Sequence, residues 1–175
     1  MDLYRPALFV HVVAIIGLFA TLAIEWVGLR FLRRATSYEQ AREWTRVWHL
    51  LLPVGAPAIL GALASGMYLA TSLGVWSSGW VAVAIPTMVL VAVIGGTTAP
   101  ARKRVEVAIG QNCGTLPPDV ARQLRQSRWV GASLRLRTAL LFGVLFEMTV
   151  RPEAGVVAMV AIGLLGLAWD VVTWS

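Results

Sequence analysis

Four ionisable residues fall inside long apolar runs of this 175-residue chain: His11, Glu25, Glu147 and Asp170. An ionisable side chain in hydrocarbon is costly, so each marks either a functional site or a polar lock between helices. Two chemistries fit them. The three carboxylates could carry a proton or an ion, as in a coupled transporter. An imidazole on an inward-facing helix could serve as an axial haem ligand, with Met67 or Met148 as its partner on the iron. The plainer roles are a histidine bonded to a carbonyl or to Glu147, and carboxylates that clasp arginines. Arg30, Arg102, Arg135 and Arg137 are the cations at the depth of Glu25 and Asp170. His11 and Glu25 are 14 positions apart, so they share one helix face about 21 Å apart along the axis. Leu18 falls on that face and Thr21 flanks it, and the face is expected to point into the bundle.

The elements that must position these residues are membrane spans. The composition is 58% hydrophobic and 14% charged, far from the roughly 45–50% and 25% of soluble domains. A helix crosses ~30 Å of hydrocarbon with about 20 apolar residues. The apolar runs place spans at approximately 6–29, 47–73, 80–99, 130–150 and 154–174. The fold class expected is all-α, a single-domain bundle covering 1–175. The run after Pro6 is too long for a cleavable signal and ends in Arg30, Arg33 and Arg34 rather than at a small-residue site. Segments 30–46 and 100–133 read as basic loops, the second carrying a short surface helix at Asp119–Ser127. The fourth span reaches its length only by starting near Trp129, with Arg135 and Arg137 snorkelling from its first turns. The competing arrangement is a re-entrant hairpin over 138–175.

Of the 15 Lys and Arg, all but Arg5 and Arg151 lie in 30–46 and 102–137. Loops rich in Lys and Arg stay cytoplasmic, so the N-terminus is expected outside and the C-terminus inside. The net charge of +6 is then topological. It suits anionic lipid at the cytoplasmic face and does not point to nucleic acid, for which no module or soluble basic face is present. Cys113 is the one cysteine, which excludes an intrachain disulfide and a Cys-rich metal site. The five methionines and two histidines are spread along the chain and form no metal cluster in sequence. His49 reads as a boundary residue beside Trp48. No phosphate loop, zinc-protease helix or nucleophile elbow is present. Ala58, Ala62 and Gly66, at four-residue spacing, read as a close helix-packing stripe.

The stretch Tyr4–Trp26, YRPALFVHVVAIIGLFATLAIEW, resembles the first helix of a group of uncharacterised bacterial integral membrane proteins, and Ala132–Pro152, ASLRLRTALLFGVLFEMTVRP, resembles their fourth. A looser similarity runs to the copper-resistance D proteins and to the haem-binding membrane protoporphyrinogen oxidase, which place a histidine before a glycine in the first helix, here His11 and Gly17. That likeness implies the bacterial cytoplasmic membrane as location, and a haem role at His11 alone. The expectation is a small integral membrane protein with a structural or accessory role, a homo-oligomer or a subunit of a larger complex, with no catalytic residue. A haem-binding redox protein and an ion-coupled transporter are the alternatives.

Overall fold

The computed structural model describes residues 3–110, 112–125 and 128–150. The fifth expected span, at 154–174, and Asp170 lie outside the described residues. The described chain is all-helical: α1 Tyr4–Leu32, α2 Tyr38–Leu73, α3 Gly79–Thr97, α4 Ala99–Ile109, α5 Pro118–Arg125 and α6 Arg128–Val150. Four stretches are long and apolar enough to cross a membrane: Tyr4–Leu32, Pro53–Leu73, Gly79–Ile109 and Trp129–Val150. They correspond to the first four expected spans. α6 is continuous through Arg135 and Arg137; the second arm of the competing hairpin over 138–175 lies outside the described residues.

Both stretches expected as loops are largely helical. α2 starts at Tyr38 and runs as one helix through Pro53 and Pro57 to Leu73. Ser37 caps its start by accepting the Gln40 N–H at 3.3 Å, and left-handed Gly74 ends it. The segment 100–133, read as a basic loop with one short helix at Asp119–Ser127, holds α4, α5 and the start of α6. Charge does not break a helix, and Ala, Arg, Lys and Glu are good helix formers. Pro100 sits in the first turn of α4, where its missing N–H costs little, and only Thr98 separates α4 from α3. α4 stops at Gly110, whose φ of 49° is rarely adopted by residues with a side chain.

α1 and α2 pack through small residues. A Cβ on Gly17 would lie 3.3 Å from that of Ala58, and one on Gly61 would lie 3.5 Å from that of Ala14. In lipid, helices associate through close packing more than through the hydrophobic effect, and small residues permit the approach. The core continues from Leu18 and Leu22 to Ala84, Met88 and Val91 of α3, then to Leu134, Leu141 and Val144 of α6. Phe19 and Phe142 meet edge to face at 5.1 Å. Phe9, Ile16 and Leu60 face outward, as a lipid-solvated surface requires.

A second core lies at the other end of α1. Leu32, Tyr38, Ala41 and Leu51 gather Ile109 of α4 and Leu124 of α5. The short helix after Pro117 therefore docks under the bundle. The connection from α4 to α5 is tied to the start of α2. Tyr38 N–H donates to Gly114 O and Leu116 N–H to Thr36 O, both at 3.0 Å. Arg42 donates to the carbonyls of Gly110 and Asn112, and the Glu39 carboxylate accepts the Gly114 N–H at 2.9 Å.

Gly17→Val should overpack the α1–α2 contact and cost about 1–3 kcal/mol, seen as a lower unfolding midpoint in mild detergent, whereas Ile16→Val on the exposed face should leave it unchanged. The Gly114 N–H holds the Glu39 carboxyl below its ordinary pKa. A group depressed in the folded state stabilises above its unfolded pKa and loses that contribution as pH falls through the folded one. Amide exchange at Gly114 should thus accelerate, relative to its intrinsic rate, below the usual carboxylate range, and Glu39→Gln should raise it already at neutral pH. Equal protection of Gly114 in both proteins at neutral pH would remove Glu39 as the clamp.

Candidate functional site

The face of α1 that the sequence assigns to the interior is interior. Ala14, Leu18, Leu22, Glu25 and Leu29 are buried, and polar chemistry sits towards both ends of this stripe. Near the C-terminal end, Glu25 Oε1 accepts from Arg137 Nη2 of α6 at 2.8 Å and from Arg102 Nη2 of α4. Glu25 is 3% and Arg137 7% exposed. Arg137 also donates from Nε to the Ser133 carbonyl at 3.3 Å and crosses α3 at Gly95, where no side chain obstructs it. Two of the four candidate arginines thus meet Glu25. Arg30 is exposed, and Arg135, two residues from Arg137, leaves α6 on a different side. A carboxylate held by two guanidiniums that tie three elements together is a lock, and it leaves little freedom for an ion path.

Towards the N-terminal end, His11 meets α2 rather than Glu147. Its Nδ1 lies 3.1 Å from the Ala62 carbonyl and 3.1 Å from Ser65 Oγ. A carbonyl only accepts, so Nδ1 carries the proton. The Ser65 hydroxyl gives its own proton to the Gly61 carbonyl, which leaves its lone pair to accept from His11. The ring edge rests on Gly66, where a Cβ would come 3.1 Å from Cε1. The tautomer is thereby fixed, and Nε2 keeps its lone pair with no partner among the described residues. This is the arrangement in which histidine serves as a ligand, the second nitrogen being held by a carbonyl.

His11 lines a cavity of about 50 Å3 together with Met67 of α2, Met88 of α3 and Met148 of α6; Trp80, Ile15 and Ile85 are also in its lining. Sequence reading left the methionines dispersed, and the fold gathers three of the five. They come from three different helices, so no spacing announces them. The haem that the resemblance implies at His11 does not fit: the cavity is far below the roughly 300–1,000 Å3 of sites that enclose organic ligands. An ion or a water molecule fits its volume.

Glu147 is fully buried on α6, and among the described residues neither carboxylate oxygen has a hydrogen-bond partner. It shares the inward face of α6 with Arg137, Leu140 and Val144. Of the two partners considered for His11, the structure has a carbonyl, that of Ala62, and not Glu147. His49, expected at a boundary, is exposed and lies 3.2 Å from Glu106 of α4. No group of three or more His, Cys, Asp or Glu that could hold a metal occurs among the described residues. No protein-family model, curated protein or solved structure matches this chain.

Glu25→Gln should leave two largely buried guanidiniums without their counter-charge and destabilise the bundle by about 3–5 kcal/mol, measured by unfolding in mild detergent. Adding Arg137→Gln to that variant should recover part of the loss, because the two sites share one interaction.

Proposed function

We propose that this chain is a small integral membrane protein of accessory role that holds one soft monovalent metal ion, Cu(I), on His11, Met67, Met88 and Met148. The observation that carries the reading is the committed Nδ1 of His11 beside a small cavity lined by three thioethers. Thioether and imidazole are soft to intermediate ligands and select Cu(I) over Mg2+, Ca2+ or Mn2+. The remainder of the lining is apolar, a setting that suits the lower oxidation state. The distribution of Lys and Arg supports an N-terminus outside the bacterial cytoplasmic membrane, which puts this cavity on the outer half and the Glu25 lock on the inner. A partner that receives or delivers the ion accounts for the accessory role, and Glu25 and the arginines serve the architecture.

The test is an anaerobic titration of the purified protein with Cu(I) against a chromophoric Cu(I) chelator. The wild type should withhold about one equivalent. His11→Ala and Met88→Leu should each release it at a chelator concentration at least tenfold lower, while Ile16→Val, at an exposed position outside the cavity, should behave as wild type. A wild type that withholds no copper, or variants that withhold as much as wild type, would end the reading. A visible haem band that is lost in His11→Ala would also count against it.

A further inference from the structure

One side of α4 is committed to the bundle. Arg102 reaches the Glu25 carboxylate of α1, Ile109 is buried, and Glu106, the one acidic residue of α4, faces His49 of α2 at 3.2 Å. The opposite side carries Lys103 and Arg104, and both are exposed. Among the described residues neither has a carboxylate within ion-pair distance. With Pro100 and Val107 they line an open groove of about 360 Å3. Val107 is 72% exposed, more than any other large apolar residue described. A surface that joins two cations to bare apolar carbon suits a ligand with an anionic head and an apolar body.

The groove continues the outward face of α3. Thr98, between the two helices, has right-handed helical dihedrals, and its carbonyl accepts the Arg102 N–H at 3.0 Å. One face therefore runs on from α3 to α4. Val89, Val93 and Gly96 of α3 lie on it at three- and four-residue spacing, followed by Pro100, the basic pair and Val107. All of them are exposed. No described atom stands within 4 Å of where a Gly96 Cβ would lie, so a notch opens one turn before Pro100.

Depth identifies the ligand. α3 is 19 residues long, about 28 Å at 1.5 Å per residue, which matches the ~30 Å of hydrocarbon. α4 thus begins where hydrocarbon gives way to headgroups, and Lys103 and Arg104 stand within two turns of that boundary. A second marker agrees. Their neighbour Arg102 is held to Glu25, and Trp26 beside Glu25 is 37% exposed, as suits tryptophan at headgroup level.

We infer that Lys103 and Arg104 bind the phosphate of one anionic phospholipid, whose acyl chain lies along Val89, Val93 and the Gly96 notch. A soluble acidic segment would meet the same charges but would leave the apolar track on α3 unused. None of these residues belongs to the metal reading, so the two stand or fall separately.

Native mass spectrometry tests the site on the full chain, stripped of lipid in neutral detergent and mixed with equimolar phosphatidylglycerol and phosphatidylcholine. The wild type should retain one phosphatidylglycerol in clear preference. Lys103→Gln and Arg104→Gln should each lower that preference about fivefold, and the double variant about twentyfold. Gly96→Leu, which fills the notch and alters no charge, should weaken retention of phosphatidylglycerol. Arg46→Gln, at an exposed arginine of α2, should leave the preference unchanged. Each variant is compared at equal helicity by circular dichroism, so that a misfolded protein is not read as a lost site. Glycerophosphate in large molar excess should leave the lipid bound; displacement by it would make a soluble phosphate the occupant and overturn the lipid. Equal retention of the two lipids by wild type, or a preference indifferent to Lys103 and Arg104, would overturn the site, and retention unchanged by Gly96→Leu would overturn the acyl track.

Discussion

The Glu25 carboxylate, shared by Arg102 and Arg137, is the constraint on which the bundle depends. Each of these charges would be expensive alone at a membrane interface, and together they are tolerable only in one relative placement of α1, α4 and α6. Apolar packing in lipid discriminates weakly between rotations of a helix, because the solvent is as apolar as the side chains. A fixed ionic contact therefore sets what packing alone would leave loose. With Glu25 turned inward, Leu18 and Ala14 follow on the same face, and His11 arrives against α2.

The two ends of that face handle polarity in opposite ways. At the Glu25 end, charge is met by charge, and three elements are joined. At the His11 end, a single proton is distributed between a carbonyl and a hydroxyl, and one nitrogen lone pair is left over. The first arrangement is closed, whereas the second is a held but unsaturated donor beside a cavity with sulfur on several sides. Glu147 follows neither pattern among the described residues, which makes it the buried group least accounted for by the architecture.

The spans were legible because twenty-residue apolar runs have few other uses. The helicity of α4 was not, although the segment Ala101–Ile109 contains no residue that opposes a helix. The partners of Glu25 were legible as a group and could have been narrowed. Arg30 lies five positions along the same helix and leaves it at a different angle, and Arg135 and Arg137 cannot both face α1. The cavity was beyond reach for a physical reason. Met67, Met88 and Met148 belong to helices that are apolar on nearly every side, so the sequence carries no amphipathic signal from which to read which way each residue turns. The same lack of a rotational signal left open whether His11 would meet a carbonyl or Glu147.

The lock also bears on how the chain is made. Glu25 is synthesised long before the two arginines that neutralise it, and both lie in elements after α3. The α1–α2 hairpin, with its small-residue seam and the His11–Ser65 bond, can form as soon as α2 emerges. Its acidic residue then waits at the membrane boundary until α4 and α6 are in place. The nascent protein thus passes through a stage in which half the bundle is packed and one carboxylate is still uncommitted, and insertion of the last described helix turns that stage into the finished fold.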